Sequence, residues 1–177
     1  MRSWAILLML GIAAIFIFNT CGSDNGNDPD KNPSGEVVNY SDCKGSSESI
    51  KTYSESSEVP PTEACIDYHY TEDLMLNIMH LNAGFNCCPG RIYASFEITA
   101  DTIVITEYEK EAGCDCDCLF DVEFQVKNLA AGTYNLKIIE PYLGSENEQF
   151  NFEIVVSSGI QDRYCLTRTG YPWGEYP

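Results

Sequence analysis

The chain has 177 residues, enough for one ordinary domain once its ends are set aside and too few for two. Its 27 acidic against 10 basic side chains give a net charge of −17, a field that repels phosphate backbones and sets nucleic acid aside as a partner. Anionic lipid headgroups are repelled in the same way, so any membrane attachment is covalent or hydrophobic rather than electrostatic.

The first thirty residues, "MRSWAILLMLGIAAIFIFNTCGSDNGNDPD", read as a targeting segment. Arg2 supplies a short positive region, and Trp4 to Phe18 run unbroken and apolar, too short for a bilayer span and right for a signal-peptide core. Cys21 follows, then Gly, Ser, Asn and Asp. This arrangement resembles a bacterial lipoprotein signal, although Phe18, Asn19 and Thr20 depart from the usual small or aliphatic residues before the cysteine. The resemblance implies that residues 1–20 are removed and that Cys21 carries the lipid. The acidic patch of Asp24, Asp28 and Asp30 resembles the surface-export signal of Bacteroidota lipoproteins, which implies a lipid-anchored place at the outer membrane or cell surface. The stretch 21–62 is then the anchor and a flexible acidic linker, since "SSESIKTYSESSEVPPTE" holds too little apolar surface to offset its ordering entropy.

From residue 63 the pattern has period two, the signature of strands. Leu74, Leu76, Ile78 and His80 share one face; so do Ile92, Ala94, Phe96 and Ile98. Thr99-Ala100-Asp101 reads as a turn into a strand over 102–109. In "CLFDVEFQV", Phe120, Val122, Phe124 and Val126 face in while Asp121, Glu123 and Gln125 face out. "GTYNLKII" and "QFNFEIVVSS" add two strands, with edges at 64–70 and 163–168. About seven short strands and no long helix point to an all-β, antiparallel sandwich over 63–177, closed by an irregular aromatic C-terminal tail. Leu129, Gly132 and Tyr134 in "NLAAGTYNLKII" resemble the tyrosine corner of immunoglobulin-like domains, whose hydroxyl bonds back to the preceding turn; Leu136 stands where a true immunoglobulin domain carries a core cysteine.

Nine cysteines are present; with Cys21 set aside, Cys43, Cys65, Cys87, Cys88, Cys114, Cys116, Cys118 and Cys165 remain. An even set in an exported β domain predicts four disulfides, with connectivity open. Adjacent Cβ atoms suit a disulfide poorly, so Cys87 and Cys88 reach separately, at least one of them to the 114–118 group. A backward extension of the strand at Leu119 gives Cys114, Cys116 and Cys118 the inward parity of Phe120. The competing reading is a zinc or copper(I) site made of His80, Cys87, Cys88, Cys114, Cys116 and Cys118. Cysteines at i and i+2 splay on a flat strand, and the two-residue spacer of structural zinc sites is missing, which favours the disulfides.

The other reactive residues read more plainly. His80 is expected as a hydrogen-bonded, half-buried histidine and His69 as a surface residue. Glu107, Glu109 and Glu111 are expected on a solvated face, and Tyr164, Tyr171, Trp173 and Tyr176 in a tail packing its rings on the domain. Thr102, in "DTI", resembles a Bacteroidota O-glycosylation acceptor. With two histidines and neither G-x-S-x-G nor H-E-x-x-H, no hydrolase set is complete. The whole resembles small cysteine-rich lipoproteins of Bacteroidota. The expected function is a non-enzymatic binding or assembly module without a cofactor, engaging a protein or glycan at the cell surface. Metal capture by the His80 and cysteine cluster is the first alternative, inhibition of secreted proteases the second.

Overall fold

A computed structural model describes residues 32–44, 59–111 and 113–170. Nine strands form among the described residues: β1 (Ser34–Tyr40), β2 (Glu63–Tyr70), β3 (Leu76–Asn86), β4 (Arg91–Ile98), β5 (Thr102–Lys110), β6 (Asp117–Lys127), β7 (Gly132–Ile139), β8 (Phe150–Val156) and β9 (Gln161–Thr167). They make a five-stranded sheet, β1-β6-β3-β2-β9, and a four-stranded sheet, β4-β5-β7-β8. The inward parities predicted for β3, β4 and the Phe120–Val126 stretch of β6 hold. Leu76, Ile78, Ile103, Ile105, Val122, Phe124, Leu136 and Phe150 are all buried in one core between the two sheets. Each such side chain contributes roughly 1.5–3 kcal/mol when removed from water.

Three expectations change. The count is nine rather than about seven, because 64–70 and 163–168 are full strands, the first inside its sheet between β3 and β9 rather than at an edge, and because β1 lies inside the stretch 21–62 read as linker. Residues 34–40 turn only Val37 and Tyr40 toward the sandwich, leave Val38 exposed and gave little periodic signal, yet β1 pairs with β6 from Ser34↔Lys127 to Tyr40↔Val122. Gly35 sits directly under the Phe96 ring, where a Cβ would come within 2.1 Å of that ring, so glycine is what lets β1 lie flat across β4. The sandwich is also not wholly antiparallel: β5 and β7 run parallel from Thr102↔Asn135 to Thr106↔Ile139. The cause is topological. The chain leaves β5, crosses to the opposite sheet as β6 and returns as β7, which therefore points the same way as β5. Finally, β6 begins at Asp117, so Cys114 and Cys116 lie in the loop before it rather than on its inner face.

Tyr134 donates its hydroxyl to the Ala130 carbonyl at 2.9 Å, so the corner expected from L-x-x-G-x-Y is formed. A bulge in β3 shifts its register between His80↔Val122 and Ala83↔Phe120. Its pivot is Asn82, whose φ of 64° is left-handed. The Asn82 side-chain amide donates to the carbonyls of Val59 (3.2 Å), Pro60 (3.0 Å) and Glu63 (2.8 Å), tying the approach to β2 onto β3. Lys44 Nζ donates to Asn82 Oδ1 (2.6 Å) and pairs with Asp121 (2.5 Å). Asn82→Ala is expected to cost about 2 kcal/mol, from lost hydrogen bonds and a strained φ. Asn82→Gly, which keeps the φ without strain, costs less. Denaturant midpoints decide it; equal stability of Asn82→Ala and the parent contradicts this role.

Candidate functional site

Two clusters of reactive side chains form. The first lies inside the core. His80 on β3, Glu107 on β5, Glu140 just past β7 and Arg168 just past β9 are 0%, 2%, 4% and 3% exposed. Each continues the inward register of its strand, after Ile78, Ile105, Ile138 and Leu166 respectively. His80 Nδ1 donates to Glu107 Oε1 at 2.7 Å, while His80 Nε2 stands 3.7 Å from Glu140 Oε1. Arg168 donates from Nη2 to Glu140 Oε2 at 2.5 Å and from Nη1 to the Glu148 carbonyl. Phe150 walls the group, with the His80 ring edge-on at 5.2 Å and the Arg168 guanidinium 5.0 Å over its face.

With His80 protonated the four charges cancel, which is the condition for so many ionisable groups to share a dry core. Burial, the largest influence on His80, works against its charged form. The Glu107 carboxylate and its hydrogen bond, together with Glu140, outweigh that, and the pKa lies above the ordinary histidine value. Burial also raises the pKa of Glu140, opposed by His80 and Arg168. Glu107 therefore corrects the expectation of a solvated face: only Glu111 of the three is exposed, and Glu109 is half-buried. Glu109 accepts from the Asn86 amide at 2.9 Å and from the Tyr142 hydroxyl; that hydrogen bond, then burial, pushes the Tyr142 pKa up to about 12.

The second cluster is sulfur. All eight cysteines among the described residues pair: Cys43–Cys118, Cys65–Cys165, Cys87–Cys116 and Cys88–Cys114. Cys87 and Cys88 reach separately, as expected, and both go to the 114–118 group. Cys65 and Cys165 lie directly opposite each other on β2 and β9, and Cys65 packs with Val59, Leu81 and Met79. The other three bonds fasten the segment after β1 to β6 and the β3–β4 turn to the β5–β6 loop. The ligand set envisaged for a metal is divided: His80 lies with Glu107, Cys118 with Cys43, and the remaining four cysteines together.

Asn86 organises those four without any sulfur bond. Its Oδ1 accepts from the backbone amides of Cys88 (3.0 Å) and Cys114 (3.3 Å), and its Nδ2 donates to the Cys114 carbonyl at 2.5 Å. The Cys87 amide donates to the Cys116 carbonyl at 3.0 Å, and the Gly113 amide to that of Cys88 at 3.3 Å.

The remaining expected residues fall as follows. His69 is exposed, its Nε2 3.2 Å from Asn77 Nδ2. Thr102 opens β5 half-buried, its hydroxyl donating to Asp101 at 3.0 Å. Tyr164 stacks on Phe152 at 4.1 Å, in line with a ring packed on the domain. Cys21, the acidic patch after it, and Tyr171, Trp173 and Tyr176 lie outside the described residues. Sequence reading misplaced Glu107 and missed Glu140 and Arg168, although parity pointed to all three. Each was an ionisable residue at an inward position, and only its partners across the core explain its tolerance there. No protein-family model, no curated protein and no solved structure matches the chain.

Proposed function

We propose that the chain is an exported, lipid-anchored surface protein whose sandwich is a non-enzymatic binding or assembly module. Four disulfides support export, because thiols stay reduced in the cytosol and pair outside it. The signal-like start and Cys21 support the lipid anchor at the outer membrane or cell surface. The Tyr134 corner supports kinship with immunoglobulin-like sandwiches, enlarged here by β1 and by the parallel β5–β7 pair. The buried His80–Glu107–Glu140–Arg168 group is closed to solvent and serves the core rather than a substrate.

One observation carries the binding reading. Tyr93 and Tyr108, paired across β4 and β5, stack with centroids 5.3 Å apart and remain 38% and 39% exposed. They stand on strands that run straight into the doubly bridged loops, since Arg91↔Lys110 is the last pair before them. Rigid tyrosines lose little entropy on contact and dominate many interfaces. Cross-linking of the mature, full-length protein on intact producing cells tests this. A discrete adduct is expected with the parent, its yield falling about tenfold in Tyr93→Ser/Tyr108→Ser while the fold persists. Equal yields, or no adduct, contradict the reading.

A further inference from the structure

We propose that the paired disulfides Cys87–Cys116 and Cys88–Cys114 form a reducible metal site: opened by an external dithiol, the four sulfurs hold one thiophilic d10 ion, zinc(II) or copper(I). The Sγ atoms of Cys87, Cys88 and Cys114 all lie within 4.8 Å of one another, and Cys116 is bonded to Cys87. Four thiolates about 2.3 Å from a tetrahedral ion stand about 3.8 Å apart, so the two bonded pairs open to that separation while the non-bonded sulfurs of Cys87, Cys88 and Cys114 close by at most about 1 Å.

What keeps them together after reduction is the backbone. The Asn86 amide clamps both cysteine segments, the Cys87–Cys116 and Gly113–Cys88 hydrogen bonds close the gap, and β3 pairs with β6 up to Asn86↔Asp117. None of these contacts uses sulfur. Neither bridge contains a fully buried cysteine, and Cys88 and Cys116 are exposed; each of the other two bridges has one partner, Cys65 or Cys118, about 1% exposed, although Cys165 itself is exposed. Each loop bridge thus offers a dithiol two accessible cysteines where the other bridges offer one, which favours its earlier opening.

The balance is simple. Each bridge takes two electrons and two protons from one dithiol, which becomes a disulfide; two dithiols yield four thiols. On metal binding the thiols give their protons to solvent as metal–sulfur bonds form. Sequence alone proposed a wider ligand set; the structure removes His80, held by Glu107, and Cys118, bonded to Cys43. What is left is a closed set of four cysteines, the all-thiolate donor set of structural zinc sites.

The test treats the full-length protein with dithiothreitol, removes it anaerobically, and maps the opened bridges by alkylation and mass. Cobalt(II) is then added as the coloured probe, followed by zinc(II). The expected result is selective opening of the two bridges, a folded protein, and one cobalt per chain with tetrahedral thiolate bands that zinc abolishes. Asn86→Ala weakens uptake about tenfold or more, as loss of an orienting partner does. Four results overturn the proposal: prior opening of Cys65–Cys165 or Cys43–Cys118, unfolding on selective opening, a folded reduced protein that takes up neither ion, or unchanged bands in Cys87→Ser/Cys88→Ser/Cys114→Ser/Cys116→Ser.

Discussion

Replacing Cys65 and Cys165 together by alanine is expected to cost about 3–5 kcal/mol and to lower Tm on the order of 10–20 °C. The bond joins residues 100 positions apart, against 75 for Cys43–Cys118, 29 for Cys87–Cys116 and 26 for Cys88–Cys114. Closing a longer loop removes more freedom from the unfolded chain, about 4.7 kcal/mol for 100 residues and about 3 kcal/mol for 15. Cys65 also fills the small outer cluster with Val59 and Leu81, so its truncation adds lost packing. Among the paired alanine variants, Cys65/Cys165 should therefore lose most, with Cys43/Cys118 next and the two loop bridges least. Denaturant midpoints of the oxidised variants give the order; a Cys88/Cys114 loss exceeding the Cys65/Cys165 loss contradicts it.

Arg168→Met carries the second large effect. It strips the cation from Glu140 inside the core, and an uncompensated buried charge costs about 3–5 kcal/mol. Replacing all four members with apolar residues of similar size, His80→Leu/Glu107→Leu/Glu140→Leu/Arg168→Met, should cost far less than the single change, because no charge is then stranded. The group also sets a pH dependence. The pKa of His80 is raised on folding, so its stabilisation is complete below its unfolded value of about 6.5 and fades as pH rises through the higher folded value. The raised pKa of Glu140 acts in the same direction: the folded state holds a proton that the unfolded chain releases, and stability falls as pH climbs above the ordinary carboxyl range. Repulsion within a chain of net charge −17 adds to that fall, so the informative quantity is a difference. Between mildly acidic and alkaline pH the parent should lose more stability than His80→Gln. Parallel curves would deny the histidine its role.

The register of the core was legible because a half-buried strand writes itself as alternation. Phe120, Val122, Phe124 and Val126 could be placed from their spacing alone, and the Tyr134 corner from three residues. What alternation cannot convey is pairing. Ser34–Tyr40 is short, weakly apolar and separated in sequence from its partner β6, so nothing local marked it as a strand; its place depends on Gly35 fitting beneath Phe96. Glu107 shows the other failure. Its parity after Ile103 and Ile105 pointed inward, but neighbouring Glu109 and Lys110 made a solvated face the simpler reading. The decisive partner, His80, is 27 residues away on another sheet. Cysteine pairing was constrained to a class by count and spacing, and the individual bonds emerged only once the β3–β4 turn and the β5–β6 loop met.

Disulfide bracing of the sandwich is the central claim, and non-reducing peptide mapping of the purified protein, alkylated before any reductant is added, tests it most directly. The account predicts that Cys43, Cys65, Cys87, Cys88, Cys114, Cys116, Cys118 and Cys165 all escape alkylation and appear as the four cross-linked peptides 43–118, 65–165, 87–116 and 88–114. A folded protein whose domain cysteines are all alkylated, with no metal bound, would contradict it.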